Sequence, residues 1–216
     1  MKNKIKKIHF IGIGGSGMSG IAEVMHNLGF NISGSDSASS KVTRELKQMG
    51  IKISFKHDAR NVNNADVIVI SSAISKRNIE LKAGQKKNIP IIPRAEMLSE
   101  LMRFKKGIAV AGTHGKTSTT SILASILSEG KLDPTFVIGG RINSMKANAK
   151  LGTGDLFVVE ADESDASFLH LNPVSTILTN IDREHLETYQ GDFERLKATY
   201  LDFIHQVPFY NNVFLC

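Results

Sequence analysis

The sequence predicts an α/β protein built on parallel sheets, and three observations carry that prediction. Short apolar strands alternate with amphipathic segments of helical length, the order that crossover connections in a parallel sheet require. A glycine-rich turn directly follows a strand and opens a helix at two places, residues 12–17 and 112–115. The pattern also restarts after the polar "KKG" at residues 105–107, which places a domain boundary there and divides the chain into 1–106 and 107–216.

In the first half, strands fall near "KIHFIG", "NISGSD", "IKIS", "DVIVIS" and "IPII", separated by helices such as "MSGIAEVMHNL" and "SKVTRELKQM". This is one Rossmann-like unit. Its closing helix is "RAEMLSELMRF", whose Met97, Leu98, Leu101, Met102 and Phe104 fall largely on one face and are expected in the core. The second half starts with the strand "IAVAG", continues through "FVIGG", "LFVVE" and "VSTILTN", and adds a helix over "FERLKATYLDFI" and a strand in "NNVFLC". Nothing follows to cover that strand, so this P-loop-type α/β domain is expected to be incomplete.

At 216 residues with 41% hydrophobic content, the chain can supply cores for one large domain or two small ones. A net charge of +6 favours anionic partners, but the lysines are scattered from Lys2 to Lys197 and aromatics make up 6%. Small anions therefore fit at least as well as nucleic acid, which is not expected. Glycines break the apolar stretch of "MKNKIKKIHFIGIGG" too early for an export signal, and no stretch approaches the ~20 apolar residues of a membrane span. The expected location is the cytoplasm, without membrane insertion. A lone Cys216 excludes an internal disulfide and agrees with a reducing compartment.

The first turn, "GIGGSG", matches G-x-G-x-x-G through Gly12, Gly14 and Gly17, with Gly15 and Ser16 between them. Bare backbone at a helix start can approach a diphosphate, and Asp36 ends the next strand near the spacing at which an acid holds a ribose hydroxyl. Such loops serve NAD, FAD and nucleotide-sugars alike, and some are only tight turns. A dehydrogenase would need a hydride-transfer domain after residue 105, where a second phosphate loop stands instead.

That second loop lies in "IAVAGTHGKTSTTSILASIL". It combines a buried strand, a turn at Gly112 and Gly115, Lys116, and a hydroxyl-rich first helical turn. The strict Walker pattern asks for glycine where Val110 stands, yet the physics is retained. Free amides face phosphate oxygens, Lys116 adds a point charge, and Thr117 offers a hydroxyl to a metal ion. The competing explanation is a Ser/Thr-capped helix after an ordinary turn, which needs neither Lys116 nor paired glycines.

"LFVVEADESD" runs a strand directly into acids, and ligands collect at the carboxyl ends of parallel strands. Glu160, the first polar residue off that strand, is the expected metal ligand; Asp162, Glu163 and Asp165 are expected to be solvated charges or caps. "VSTILTNIDREH" repeats the design with Thr179, Asn180, Asp182 and His185.

Together "HFIGIGGSGMSGIAE", "SGSD", "SSAI", "RAEMLSELM", "AGTHGKTSTT", "EADESDASFL" and "TNIDREHLETY" resemble the Mur ligases over nearly the whole chain. The resemblance implies an N-terminal domain for a UDP-sugar, a central domain for ATP, and a C-terminal domain that is absent here. It implies an ATP- and Mg²⁺-dependent ligase that joins L-alanine to UDP-N-acetylmuramate, with little activity from this chain alone. The ATP loop would be Gly112, Thr113, His114, Gly115, Lys116, Thr117 and Ser118, with Asn180 nearby; Thr117, Glu160 and His185 would hold the metal. Lys116, Glu160 and His185 would be catalytic. The UDP-sugar would meet Gly12, Gly14, Gly15, Ser16, Gly17, Asp36, His57, Ser71, Ser72 and Ala73. Departures are Ser118, where threonine is usual, and Pro93 before "RAEM"; Lys197 is out of register for the carbamylated lysine of some relatives. A ligase for preformed peptide, a non-catalytic nucleotide-binding remnant and a dinucleotide-dependent oxidoreductase remain as alternatives.

Overall fold

The computed structural model describes residues 5–15, 17–142 and 147–216. Its contacts define two units, Met1–Met97 and Leu98–Cys216, so they divide the chain inside the helix that the sequence assigns to the first domain. No helix among the described residues is long and apolar enough to cross a membrane.

The first unit contains β1 (Lys7–Ile11), α1 (Met18–Asn27), β2 (Asn31–Ser35), α2 (Lys41–Gln48), β3 (Lys52–Ser54), β4 (Val67–Ile70), α3 (Ile79–Lys86) and β5 (Ile91–Pro93). Its strands run β3-β2-β1-β4-β5, and every pairing is parallel. The strand order therefore reverses between β1 and β4, and the crevice beyond their carboxyl ends is where such sheets bind ligands. Ile8, Phe10 and Ile11 of β1 and Val67, Ile68 and Val69 of β4 are buried, as continuous apolar strands covered on both faces must be. Each large side chain so buried contributes roughly 1.5–3 kcal/mol against its lost conformational freedom.

A polar knot interrupts this core. Glu80, in the first turn of α3, is fully buried and accepts hydrogen bonds from Ser35 Oγ and Asn61 Nδ2, with His57 Nδ1 at 2.9 Å and His9 Nε2 at 3.9 Å. His9 also meets Ser33 Oγ through Nδ1 at 2.9 Å. Burial pushes His9 down from 6.5 to about 4, with Glu80 opposing and His57 assisting. Below pH 6.5 the unfolded chain takes up a proton that the folded chain refuses, so this contribution to stability is full above 6.5 and falls toward pH 4. In urea titrations at pH 7 and 4.5, His9→Gln should lose less stability on acidification than the wild type, by about 3 kcal/mol at most. Equal losses would refute the assignment.

The closing helix α4 (Arg94–Met102) leads into β6 (Lys106–Ala111), α5 (Lys116–Glu129), β7 (Thr135–Ile142), β8 (Ala147–Lys150), β9 (Leu156–Glu160), β10 (Ser175–Leu178), α6 (Phe193–Ile204) and β11 (Val213–Leu215). The second sheet runs β11-β10-β6-β9-β7-β8; β8 is antiparallel to β7 and the other pairings are parallel. Ala124, Phe136, Ile138 and Val158 form one core cluster, and Phe168 packs edge-on to Tyr200 and 4.8 Å from Phe203.

The sequence-based expectations need three adjustments. Phe104 is 49% exposed rather than core, because α4 ends at Met102 and the chain turns away before Phe104; Leu98 is half-buried, while Met97, Leu101 and Met102 are buried as expected. Lys106 and Gly107 already belong to β6. Strand β8 is unheralded, since "ANAK" has no apolar run; its pairing with β7 supplies the order.

Candidate active site

The second glycine loop joins β6 to α5, and its geometry requires glycine at Gly112. There φ is +131°, and a Cβ would stand 2.1 Å from Thr179 Oγ1. Gly115, in the left-handed region, is the N-cap of α5 and supplies no capping side chain. By contrast, α2, α3 and α6 are capped by Ser40, Asn78 and Asp192. The helix that follows the loop is thus not the side-chain-capped one of the bland explanation, and its first amides are the type of donors that anions recruit.

The exit of β10 braces this loop. Asn180 Oδ1 accepts from His114 N at 2.9 Å, while its Nδ2 donates to the His114 carbonyl at 3.0 Å. Thr179 Oγ1 donates to the same carbonyl at 2.6 Å, and Thr113 Oγ1 accepts from Asp182 N at 2.8 Å. Exposed His114 also lies 3.5 Å from Asp182, whose carboxyl is held below its ordinary range by hydrogen bonds from Arg183 N and His114.

Two side-chain pairs occupy the start of α5. Thr117 Oγ1 donates to Glu160 Oε1 at 2.8 Å, so the first helical turn touches the carboxyl end of β9. Lys116 Nζ donates to the Gly112 carbonyl at 2.6 Å, to the Thr113 carbonyl at 3.0 Å and to Glu163 Oε1 at 2.9 Å. Glu163 is 1% exposed, which corrects its assignment as a solvated charge. Burial pushes its carboxyl up, and the Lys116 hydrogen bond opposes that shift. Asp162 and Asp165 accept from Ser164 N and Ser167 N two residues on, bracing short turns, and neither is the N-cap of the 3₁₀ helix Ser167–His170, which has no side-chain cap. No local signal separates Glu163 from its neighbours in "EADESD".

Hard oxygen donors from one hydroxyl and one carboxylate suit Mg²⁺, which usually keeps its remaining positions for water and phosphate. Thr117 and Glu160 fit that requirement. His185 is exposed at the head of a short 3₁₀ helix, Leu186–Tyr189, with φ +55°. Among the described residues, no three His, Cys, Asp or Glu side chains gather as a metal-binding group; Thr117, Glu160 and His185 include only two side chains of those types.

In the first unit, Gly12 N and Ile13 N both donate to the Ser35 carbonyl, and Gly14 N donates to Asp36 Oδ2 at 2.8 Å. Asp36 therefore clasps the glycine turn. A Cβ on Gly12 would stand 3.9 Å from Ser71 Cβ, so the turn and the Ser71–Ala73 corner after β4 meet at the switch point. Ser72 and Ala73 are exposed, and Ser71 Oγ accepts from Ala73 N. His57 lies behind, tied to Ser35 and Glu80. Ser16 is outside the described residues. Arg94, which the sequence did not single out, lies over the turn, with Nη1 2.8 Å from where a Cβ on Gly17 would sit.

Residues 7–106 match the family model described as Mur ligase family, catalytic domain, and residues 110–216 match the Mur ligase middle domain. The chain belongs to the Mur ligase family. Curated relatives align over the whole chain: UDP-N-acetylmuramate–L-alanine ligase of Azoarcus sp. (strain BH72) is 60% identical, and that of Neisseria gonorrhoeae (strain ATCC 700825 / FA 1090) is 57% identical. All of the chain aligns with 46% of each, so it spans about half the length of these relatives. Among solved Mur ligases, the Thermotoga maritima UDP-N-acetylmuramate-alanine ligase superposes with a TM-score of 0.88 at 32% identity, over 97% of this chain and 48% of that one. The UDP-N-acetylmuramate:L-alanyl-gamma-D-glutamyl-meso-diaminopimelate ligase of Neisseria meningitides gives 0.90 at 29% identity, over 98% and 71%.

Proposed function

We propose that this Mur ligase chain carries the UDP-sugar and ATP sites of a cytoplasmic enzyme that joins L-alanine to the lactyl carboxylate of UDP-N-acetylmuramate. The observation that carries it is the pairing of Lys116 and Thr117, first residues of a helix without a side-chain cap, with acids at the end of the neighbouring strand. Support for the alanine substrate comes from curated alanine ligases that are 57–60% identical over the whole chain; among solved structures the alanine ligase at 32% and the tripeptide ligase at 29% are nearly level.

In this reaction the lactyl carboxylate attacks the γ-phosphorus of ATP and ADP departs, giving an acyl phosphate. The amine of alanine then adds to the acyl carbon, and phosphate leaves with the bridging oxygen. Lys116 sets positive charge beside the terminal phosphates, where negative charge gathers, and the first amides of α5 donate to their oxygens. Thr117 and Glu160 would hold Mg²⁺, which neutralises phosphate charge when bound. The first glycine turn, with Arg94 over Gly17, would hold the diphosphate of the UDP-sugar.

Calorimetric titration of the chain tests this. UDP-N-acetylmuramate and Mg²⁺-ATP should each bind, and NAD should not. Binding of NAD without the UDP-sugar would instead support the oxidoreductase alternative.

A further inference from the structure

Lys116 is committed inward. An ammonium has three hydrogens, and here they serve the Gly112 carbonyl, the Thr113 carbonyl and Glu163. A phosphate oxygen that reaches this lysine must draw a hydrogen from one of those acceptors. Two are neutral, whereas the third is a buried carboxylate whose Oε1 and Oε2 lie 2.9 and 2.8 Å from Nζ.

We propose that Glu163 is a built-in competitor for Lys116, a positioning residue that acts through the lysine to hold down affinity for nucleotide phosphates. The inference rests on the proposal that the Gly112–Ser118 loop binds ATP. With Glu163 ionised the pair is nearly neutral, so an incoming polyphosphate meets a lysine whose charge is already matched. The main chain of Glu163 is anchored separately, since its carbonyl accepts from Tyr189 Oη and from Ala166 N. A change confined to the side chain therefore leaves the loop's backbone restrained. A competitor of this kind favours nucleotide exchange over tight retention, because every departing nucleotide is replaced at Lys116 by an acceptor already in place.

The test measures mant-ATP binding with MgCl₂ to the full 216-residue chain, for the wild type, Glu163→Gln, Lys116→Met and the double variant, with thermal melts alongside. Glu163→Gln should tighten binding about tenfold. In the Lys116→Met background the same change should have little effect, because no ammonium is left for the carboxylate to hold away from phosphate. If Glu163→Gln does not fold, Glu163→Asp, which draws the carboxylate back from Nζ, should tighten binding by a smaller factor. Unchanged or weaker binding in these Glu163 variants, with Lys116→Met still impaired, would overturn the competitor and leave the ATP loop standing. Absence of mant-ATP binding in the wild type would overturn both.

Discussion

Lys116→Met should weaken ATP binding by about 10- to 100-fold, the loss expected when charge-assisted hydrogen bonds to phosphate disappear. It should also destabilise the second unit. Sequence alone suggests that removing a loop lysine harms the chemistry more than the fold. The structure adds a folding penalty, because Glu163 is 1% exposed and loses its counter-charge. Breaking a buried pair from one side typically costs about 3–5 kcal/mol, and the lower end applies here because the carboxyl, already pushed up by burial, can take a proton. Adding Glu163→Gln should restore much of the stability and none of the lost phosphate contact. Urea denaturation and calorimetry on the two variants separate these effects. A Lys116→Met protein as stable as the wild type would show that the ion pair is not formed in solution.

Gly112→Ala should be the most damaging single methyl in the loop. The new Cβ would stand 2.1 Å from Thr179 Oγ1 and 2.9 Å from the Asn180 carbonyl oxygen, at a φ of +131° that side chains rarely adopt. Thr179 and Asn180 also hold the His114 backbone, so the clash falls on the brace that shapes the loop. Strain and lost hydrogen bonds together should cost about 3 kcal/mol or more, with ATP binding lost. Gly115→Ala is the control. Its Cβ meets nothing within 4 Å, and at φ +77° only the left-handed penalty of roughly 1–2 kcal/mol remains. Equal denaturation midpoints for the two variants would contradict this account.

The two loops were legible because their signals are local. A strand that ends in glycines before an amphipathic helix leaves few conformations, and β1 to α1 and β6 to α5 formed where the pattern placed them. The place of Glu160 was legible for the same reason, since it ends β9 and is the first polar residue of that strand. Asn180 was singled out beside the nucleotide, and the fold places its side chain on the His114 backbone. Glu163 was missed because its burial comes from afar: Tyr189, remote in sequence, reaches its carbonyl, and Lys116 arrives from α5. Phe104 was misplaced because helical spacing was carried beyond the residue at which α4 stops.

Sequence by itself determined the α/β class, the parallel strands, the two glycine turns and the family to which the chain belongs. These follow from periodicity and from backbone angles that only glycine readily adopts, properties of neighbouring residues. Tertiary structure alone decided which acid of "EADESD" faces Lys116, that Asp36 clasps the first turn, and that a buried Glu80 ties His57 to Ser35. The reason is physical: the state of a charge depends on how much water surrounds it and what opposes it, and both are set by segments far apart in the chain.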